Sequence, residues 1–222
     1  MTAEPEEGPE TNGRRSDGQD DRSPAAPLEG ADRRKTAPAV SVVVASCRDR
    51  ELLEACLSSV LPQARPLGAE VVVARPAEEG DLETLRSAHP DVRFEAAPEG
   101  SSVPQLRAVG MAATRGDIVA LTEDHCVAEE GWLRSLVEAH VAGGEVVGGA
   151  MDNARCASTV DWGAFFAEYG FFAEGAEAAA SRESRGSPPL TGANVSYARR
   201  LVDGVVERAR RGEWENVIHD EL

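Results

Sequence analysis

Lysine is almost missing from this chain: Lys35 is the only one in 222 residues, arginine supplies every other fixed cation, and the formal net charge is −16. No basic stripe exists to release counterions from a phosphate backbone, which excludes nucleic acid as a general partner. Long apolar runs are missing too. None approaches the roughly 18 residues needed to cross a bilayer, and the N-terminus is acidic rather than a basic-then-apolar leader. Cysteine is sparse, and Cys47, Cys56, Cys126 and Cys156 show no C-x-x-C spacing. That argues against a zinc site or a disulfide framework and fits a reduced cytoplasm. The closing His219-Asp220-Glu221-Leu222 spells an ER-retention address, but without an entry signal the match carries no weight. Glycine-rich phosphate loops are also absent. The turn after the first apolar run reads Ser46-Cys47-Arg48-Asp49-Arg50, without G-x-G-x-x-G, and no G-x-x-x-x-G-K-[ST] occurs.

What is there begins with a tail. Residues 1–37 are Glu, Asp, Gly, Pro, Ser and Arg without apolar periodicity, which reads as a disordered segment. One domain is expected over residues 38–222, where the 41% hydrophobic content suffices for a core. Its first strand is the β-branched run Ala39 to Ser46. Leu52, Leu53, Cys56, Leu57, Val60 and Leu61 then recur at helical spacing, with Asp49 placed to cap that helix and Pro62 to stop it. The rhythm repeats: strand Glu70 to Ala74, helix Asp81 to Ala88, strand Val92 to Glu95, helix Val103 to Thr114, strand Asp117 to Leu121. Strands alternating with helices imply an α/β fold with a mostly parallel sheet and right-handed crossovers. A helix with Trp132, Leu133, Leu136, Val137 and His140 and a strand Glu145 to Gly149 follow. Beyond them the rhythm is lost, through an aromatic segment (Trp162, Phe165, Phe166, Tyr169, Phe171, Phe172) and a loose stretch ending at Pro188-Pro189.

The chemistry concentrates where the fourth strand ends, in Ile118-Val119-Ala120-Leu121-Thr122-Glu123-Asp124-His125. Carboxylates are costly inside a doubly covered strand unless paired, metal-bound or at the solvated strand end, so Glu123 and Asp124 belong at the sheet edge. Two readings stand: a solvated turn, or a site for a divalent cation and the phosphates it carries.

The order of several segments resembles the family 2 glycosyltransferases, nucleotide-sugar-dependent enzymes with the GT-A fold. Ser41 to Arg50 with Cys56-Leu57-Ser58-Ser59-Val60-Leu61 looks like the family's opening strand, turn and helix. Gln105-Leu106-Arg107-Ala108-Val109-Gly110 and Ala113 to Asp117 resemble the helix leading to the metal-site strand. Thr122-Glu123-Asp124 sits where the family's D-x-D-like acids are expected. Thr191 to Arg200 looks like the acceptor-side segment, and Trp214-Glu215-Asn216 like the late acidic motif.

The resemblance implies a nucleotide-diphospho-sugar donor, an acceptor hydroxyl on a polysaccharide, lipid-linked or small molecule, and inverting transfer assisted by Mn²⁺ or Mg²⁺. Asp124 is the implied metal ligand. Glu215 is the implied base that takes the acceptor proton. Ser46, Arg48, Arg107, Glu123 and His125 fall on the donor side, with Arg107 facing either pyrophosphate or a fold-holding acid such as Asp117. Asn194 and Trp214 fall on the acceptor side, Trp214 serving either a sugar face or the core. Neighbouring Glu213 is close enough to compete for the role of base, and its ordinary reading is a solvated helix-start acid.

The chain departs from the family pattern at several points. Ala74-Arg75-Pro76-Ala77-Glu78-Glu79-Gly80-Asp81 replaces the acids that usually hold base and ribose, Thr122 replaces an aspartate of the metal motif, and Asn216 stands where an aspartate is common. The alternative to an enzyme is therefore a weak or inactive GT-A-like module that binds a nucleotide-sugar or a partner. The chain stops at Leu222, directly after the late motif. The domain is thus expected to be short on its C-terminal side, leaving apolar helix surface that invites a protein partner. The expected location is cytoplasmic, free or peripheral to the inner face of the membrane, and the arginine and alanine usage suggests a GC-rich bacterial source.

Overall fold

The computed structural model describes residues 40–76, 81–154, 158–173, 190–214 and 218. The tail expected over residues 1–37 lies outside the described residues, as does the loose stretch before Pro188-Pro189. Six strands form one sheet: β1 (Val40–Ala45), β2 (Glu70–Pro76), β3 (Val92–Ala97), β4 (Ile118–Glu123), β5 (Val146–Gly148) and β6 (Val195–Ala198). Their order is β3-β2-β1-β4-β6-β5. The first four pair in parallel, whereas β6 runs antiparallel to both β4 and β5. The expected α/β class with a mostly parallel sheet is the fold found.

Every residue of β1 is buried. Its alternate side chains serve two cores, because successive residues of a strand point to opposite faces. On one face Val40, Val42 and Val44 pack with Leu53, Leu57 and Val60 of α1 (Arg50–Ala64), Leu85 of α2 (Asp81–Ala88) and Leu133 of α4 (Trp132–Val141). On the other, Val43, Val119 and Leu121 meet Ala108 and Met111 of α3 (Val103–Ala112) and Val202, Val205 and Val206 of α6 (Arg199–Arg210). Gly110 lets α3 lie directly on β1, since a Cβ there would stand 2.4 Å from Val43 Cγ1. The aromatic segment contains helix α5 (Thr159–Tyr169) followed by a 3₁₀ turn, Gly170–Phe172. No helix among the described residues is long and apolar enough to cross a membrane.

Asp49 caps α1 as expected, its Oδ1 accepting from Leu52 N at 3.3 Å. Pro62, by contrast, does not stop that helix, which continues to Ala64. Proline near a helix end forfeits one backbone bond, here to Ser58 four residues back on the exposed side, and the turn survives the loss. The chain reverses instead at the 3₁₀ turn Arg65–Leu67 and at Gly68, whose φ is 60°. The fourth strand runs two residues past the expected Leu121, through Thr122 and Glu123. Beyond residue 149 the sheet also resumes, because Val195-Ser196-Tyr197 supplies β6. Glu213 lies between α6 and the helical residue Ile218, and its carboxylate pairs with Arg208 at 2.6 Å and Arg211 at 2.7 Å.

Candidate active site

Strand order reverses between β1 and β4, since β2 and β3 lie to one side of β1 and β4 to the other. In open α/β sheets the crevice outside the carboxyl ends at such a switch point is where ligands bind. Ala45 is registered with Glu123, so Ser46-Cys47-Arg48 and Asp124-His125 leave the sheet side by side. Backbone bonds pin the two turns: Asp124 N donates to Ala45 O at 3.2 Å and Ser46 N to Ala74 O at 2.9 Å. Arg48 N donates to Asp124 Oδ2 at 2.7 Å, while the Arg48 side chain is exposed.

Asp124 is only 1% exposed, yet its Oδ1 accepts no hydrogen bond. The nearest basic atom is His125 Nδ1 at 3.7 Å, which also lacks a hydrogen-bond partner. Nδ1 stands 3.5 Å from Glu123 Oε2, and Nε2 lies 2.9 Å from Tyr169 Oη at the end of α5. Burial pushes the Asp124 carboxyl up, but the His125 imidazole, the Arg48 amide and the Ser46 hydroxyl outweigh it and hold the group below its ordinary value. The Asp124 carboxylate in turn raises His125, against the opposing effect of burial. Asp124 is thus held as a buried anion with one oxygen unclaimed.

Glu123 is spent differently. It is 9% exposed, and its Oε1 accepts from Nη2 of Arg107, which is 1% exposed on α3. This ion pair explains why β4 extends past Leu121: a strand-interior carboxylate is tolerated once a guanidinium neutralises it. The fold-holding acid beside Arg107 is therefore Glu123. Arg107 Cζ also lies 5.8 Å from the Trp214 ring centroid, and Trp214 itself is 51% exposed.

The β4–β6 register, extended by one residue, places Asn194 opposite Thr122 at the same edge. Its amide is engaged on both sides: Oδ1 accepts from Trp132 Nε1 at 2.9 Å and Nδ2 donates to Ala150 O at 3.0 Å. Gly149 allows that approach, because a Cβ there would fall 2.5 Å from Asn194 Nδ2. Glu215 and Asn216 lie outside the described residues, as do residues 77–80 of the loop after β2. The flanking backbone is placed, with Ile218 buried and its amide donating to Trp214 O at 3.1 Å.

Two contributors are not singled out from the sequence on the donor side, where Tyr169 reads only with its aromatic cluster as core or acceptor-pocket lining. Arg75 Nη1 donates to Ser46 Oγ at 3.1 Å, and Tyr169 engages His125. Arg75 carried the same signal as the acids, a charge closing an apolar strand. Tyr169 was visible as a polar tip in an aromatic run, but its partner lies 44 residues away.

The donor set suits a hard divalent cation shared with a ligand. Mn²⁺ and Mg²⁺ are commonly held by one or two carboxylates plus substrate phosphates. An unclaimed, buried carboxylate oxygen facing an unclaimed imidazole nitrogen fits that role. Among the described residues no group of three or more His, Cys, Asp or Glu side chains could enclose a metal alone, so the remaining ligands would have to come from phosphate and water.

Residues 41–206 match the family model described as Glycosyl transferase family 2. In structure, the chain is similar to the mannosyltransferase PcManGT from Pyrobaculum calidifontis, solved in complex with GDP-Man and Mn²⁺. That likeness has a TM-score of 0.53 at 19% identity over 76% of this chain and 47% of that one. It is also similar to glucosyl-3-phosphoglycerate synthase from Mycobacterium tuberculosis, solved with Mn²⁺, UDP and glucosyl-3-phosphoglycerate. Here the TM-score is 0.51 at 19% identity over 75% of this chain and 59% of that one. The chain thus spans about half the length of these solved structures, and at such identity the likeness speaks for the fold. No curated protein shows significant similarity to the sequence. The family match runs from β1 into α6 and takes in the whole carboxyl edge just described: the chain belongs to glycosyl transferase family 2 and has the GT-A fold.

Proposed function

We propose that the chain is an inverting, metal-assisted glycosyltransferase that moves a sugar from a nucleotide-diphospho-sugar to an acceptor hydroxyl. The observation that carries this reading is Asp124, an anion buried at the topological switch point with Oδ1 unclaimed and His125 Nδ1 facing it. Asp124 and His125 would hold the cation. A Mn²⁺ or Mg²⁺ there supplies Lewis-acid neutralisation of the diphosphate leaving group. The Arg48 amide fixes the Asp124 carboxylate, and the Ser46 turn and the exposed Arg48 side chain border the crevice where nucleotide and phosphate would lie. Glu215, next to Trp214, is the base: it takes the acceptor proton as the acceptor oxygen bonds to the anomeric carbon and the bond from that carbon to the diphosphate oxygen breaks. One displacement inverts the anomeric centre.

The test is a panel of UDP-, GDP- and dTDP-sugars with Mn²⁺. Donor binding or slow donor hydrolysis is expected for the native chain and lost in Asp124→Asn. Absence of both with every donor overturns the reading. Glu215→Gln should abolish turnover and spare donor binding, and loss of binding in that variant would remove Glu215 from the role of base. A second reading, a donor-binding module without transfer, is favoured by one observation: Glu123 is committed to Arg107, which leaves Asp124 the only acid of the turn free of an ion pair with arginine. Binding of a donor in the panel without any turnover would select it.

A further inference from the structure

Helix α5 reaches the acidic turn through Tyr169. Its Oη lies 2.9 Å from His125 Nε2, and the two rings stand 6.1 Å apart at 45°. Behind it the rings of α5 form a continuous row. Tyr169 is 6.2 Å from buried Phe165, and Phe165 packs on Trp162 at 6.0 Å and on Phe166 at 5.5 Å. A second tie follows at Phe172, whose carbonyl accepts from Met151 N at 2.8 Å. The far nitrogen of the same imidazole is placed differently. His125 Nδ1 stands 3.7 Å from Asp124 Oδ1 and 3.5 Å from Glu123 Oε2, without a hydrogen-bond partner. An imidazole that lends its Nδ1 lone pair to a cation carries its proton on Nε2, and that N–H then needs an acceptor. The Tyr169 oxygen is in place to be one. With the cation absent, the same hydroxyl can donate to a bare Nε2, because a phenol is both donor and acceptor. Tyrosine therefore serves His125 in either state, and phenylalanine serves it in neither.

We propose that Tyr169 is a positioning residue of the cation site: it holds the His125 imidazole against Asp124 and ties α5 to the occupancy of that site. Filling the site fixes His125, His125 fixes the Tyr169 hydroxyl, and the row of rings carries the constraint along α5. A substrate that lies against this helix meets its final surface only once the cation is held, which sets donor before acceptor. The inference rests on the reading of Asp124 and His125 as cation ligands.

Mn²⁺ binding to the full chain, followed by electron paramagnetic resonance in the presence of UDP or GDP, tests the first half. Tyr169→Phe should weaken Mn²⁺ binding roughly tenfold or more, the usual cost of removing an outer-shell partner, and His125→Gln should weaken it at least as much. Phe165→Leu loosens the row of rings but keeps the hydroxyl, so its Mn²⁺ affinity should stay within about threefold of native. Native affinity in Tyr169→Phe overturns the proposal. An equal loss in Phe165→Leu overturns it too, since Tyr169 would then act through general packing. Hydrogen exchange tests the second half. In the native chain, Mn²⁺ with nucleotide should slow exchange at the amides from Trp162 to Tyr169 and leave those of fully buried β1 unchanged. In Tyr169→Phe, at Mn²⁺ high enough to saturate it, that slowing should be lost. Slowing that survives there overturns the coupling, and so does a native helix that does not respond, a result that needs no variant. If the native chain binds no Mn²⁺ with either nucleotide, the cation reading itself fails and the inference falls with it. Mn²⁺ bound equally by the native chain and Tyr169→Phe leaves that reading standing and removes Tyr169 alone.

Discussion

The first four strands and the segment from β5 through α5 are held by different means. Every residue of β1 is buried and β2 has four buried valine and alanine positions in a row, so that region stands on apolar packing from both faces. In β5 all three residues are only half-buried, and α5 buries Phe165 while Phe166 is 57% exposed. Phe171, just after it, is 78% exposed. What ties this second region down is polar: Tyr169 meets His125, Asn194, held by Trp132 on its other side, donates to Ala150 O at 3.0 Å, and Ser196 Oγ, 2.8 Å from His140 Nε2, donates to Val147 O at 3.2 Å. The site thus has a rigid wall that carries Asp124 and a lightly anchored wall that carries the aromatic helix. Elements that must admit ligands are drawn from the less stable end of a fold, and the division fits that rule.

The largest effect should come from trimming each region in turn. Leu57→Ala, at a fully buried position of α1, is expected to cost about 2–5 kcal/mol through lost burial and a residual cavity. Phe171→Ala removes a larger side chain, but from the surface, and should stay within about 0.5 kcal/mol. Urea unfolding of both variants measures the difference. A comparable loss from Phe171→Ala would mean that the second region has a core of its own, and the contrast would collapse.

The next effect sharpens the contrast from the polar side. Trp132→Phe keeps the ring and removes the N–H that Asn194 Oδ1 accepts at 2.9 Å, leaving a nearly buried amide oxygen without that donor. A loss of about 1–3 kcal/mol is expected. The amide of Gly149, which donates to Asn194 O at 3.2 Å, should exchange faster in that variant, while amides of β1 keep their protection. Uniform acceleration across the sheet would show that the two regions unfold as one.

The same division governs what could be read before the structure was known. Where packing is apolar and two-sided, runs such as Val42-Val43-Val44 and Val71-Val72-Val73 announce themselves, and strands β1 to β4 with their helices were expected within a few residues. The carboxyl edge was legible for the same reason, because Glu123 and Asp124 interrupt such a run. How those acids are satisfied was not legible. Arg107 lies 16 residues from Glu123 and Arg48 lies 76 from Asp124, and nothing local links them. Strand β6 escaped because only four residues pair, Val195–Ala198, and their partners are β4 and β5 far upstream in the chain. Pro62 misled because a local breaker was weighed without the tertiary packing of α1, whose Leu57, Val60 and Ala64 are buried on the sheet.

The smallest expected effect separates the two histidine anchors of the second region, which respond to pH with opposite sign. Burial pushes the His140 imidazole below its ordinary value of 6.5, only partly offset by the Gly144 carbonyl. As pH falls from 6.5 toward that lowered value, the unfolded chain takes the proton more readily than the folded one, so this anchor weakens on the acid side. Asp124 raises His125 above 6.5, with Glu123 adding to the effect while burial and Arg48 oppose it. There the folded chain binds the proton more tightly, so the contribution is complete below 6.5 and fades as pH climbs through the raised value. Urea midpoints from about pH 5 to 8 for the native chain, His140→Gln and His125→Gln resolve the two. The His140 variant should gain on the native chain as pH falls, and the His125 variant should gain on it as pH rises. If both variants drift the same way, one of the two imidazoles is not held as its contacts require. Persistence of the His125 trend in Tyr169→Phe would locate its cause in the carboxylates of the rigid wall rather than in α5.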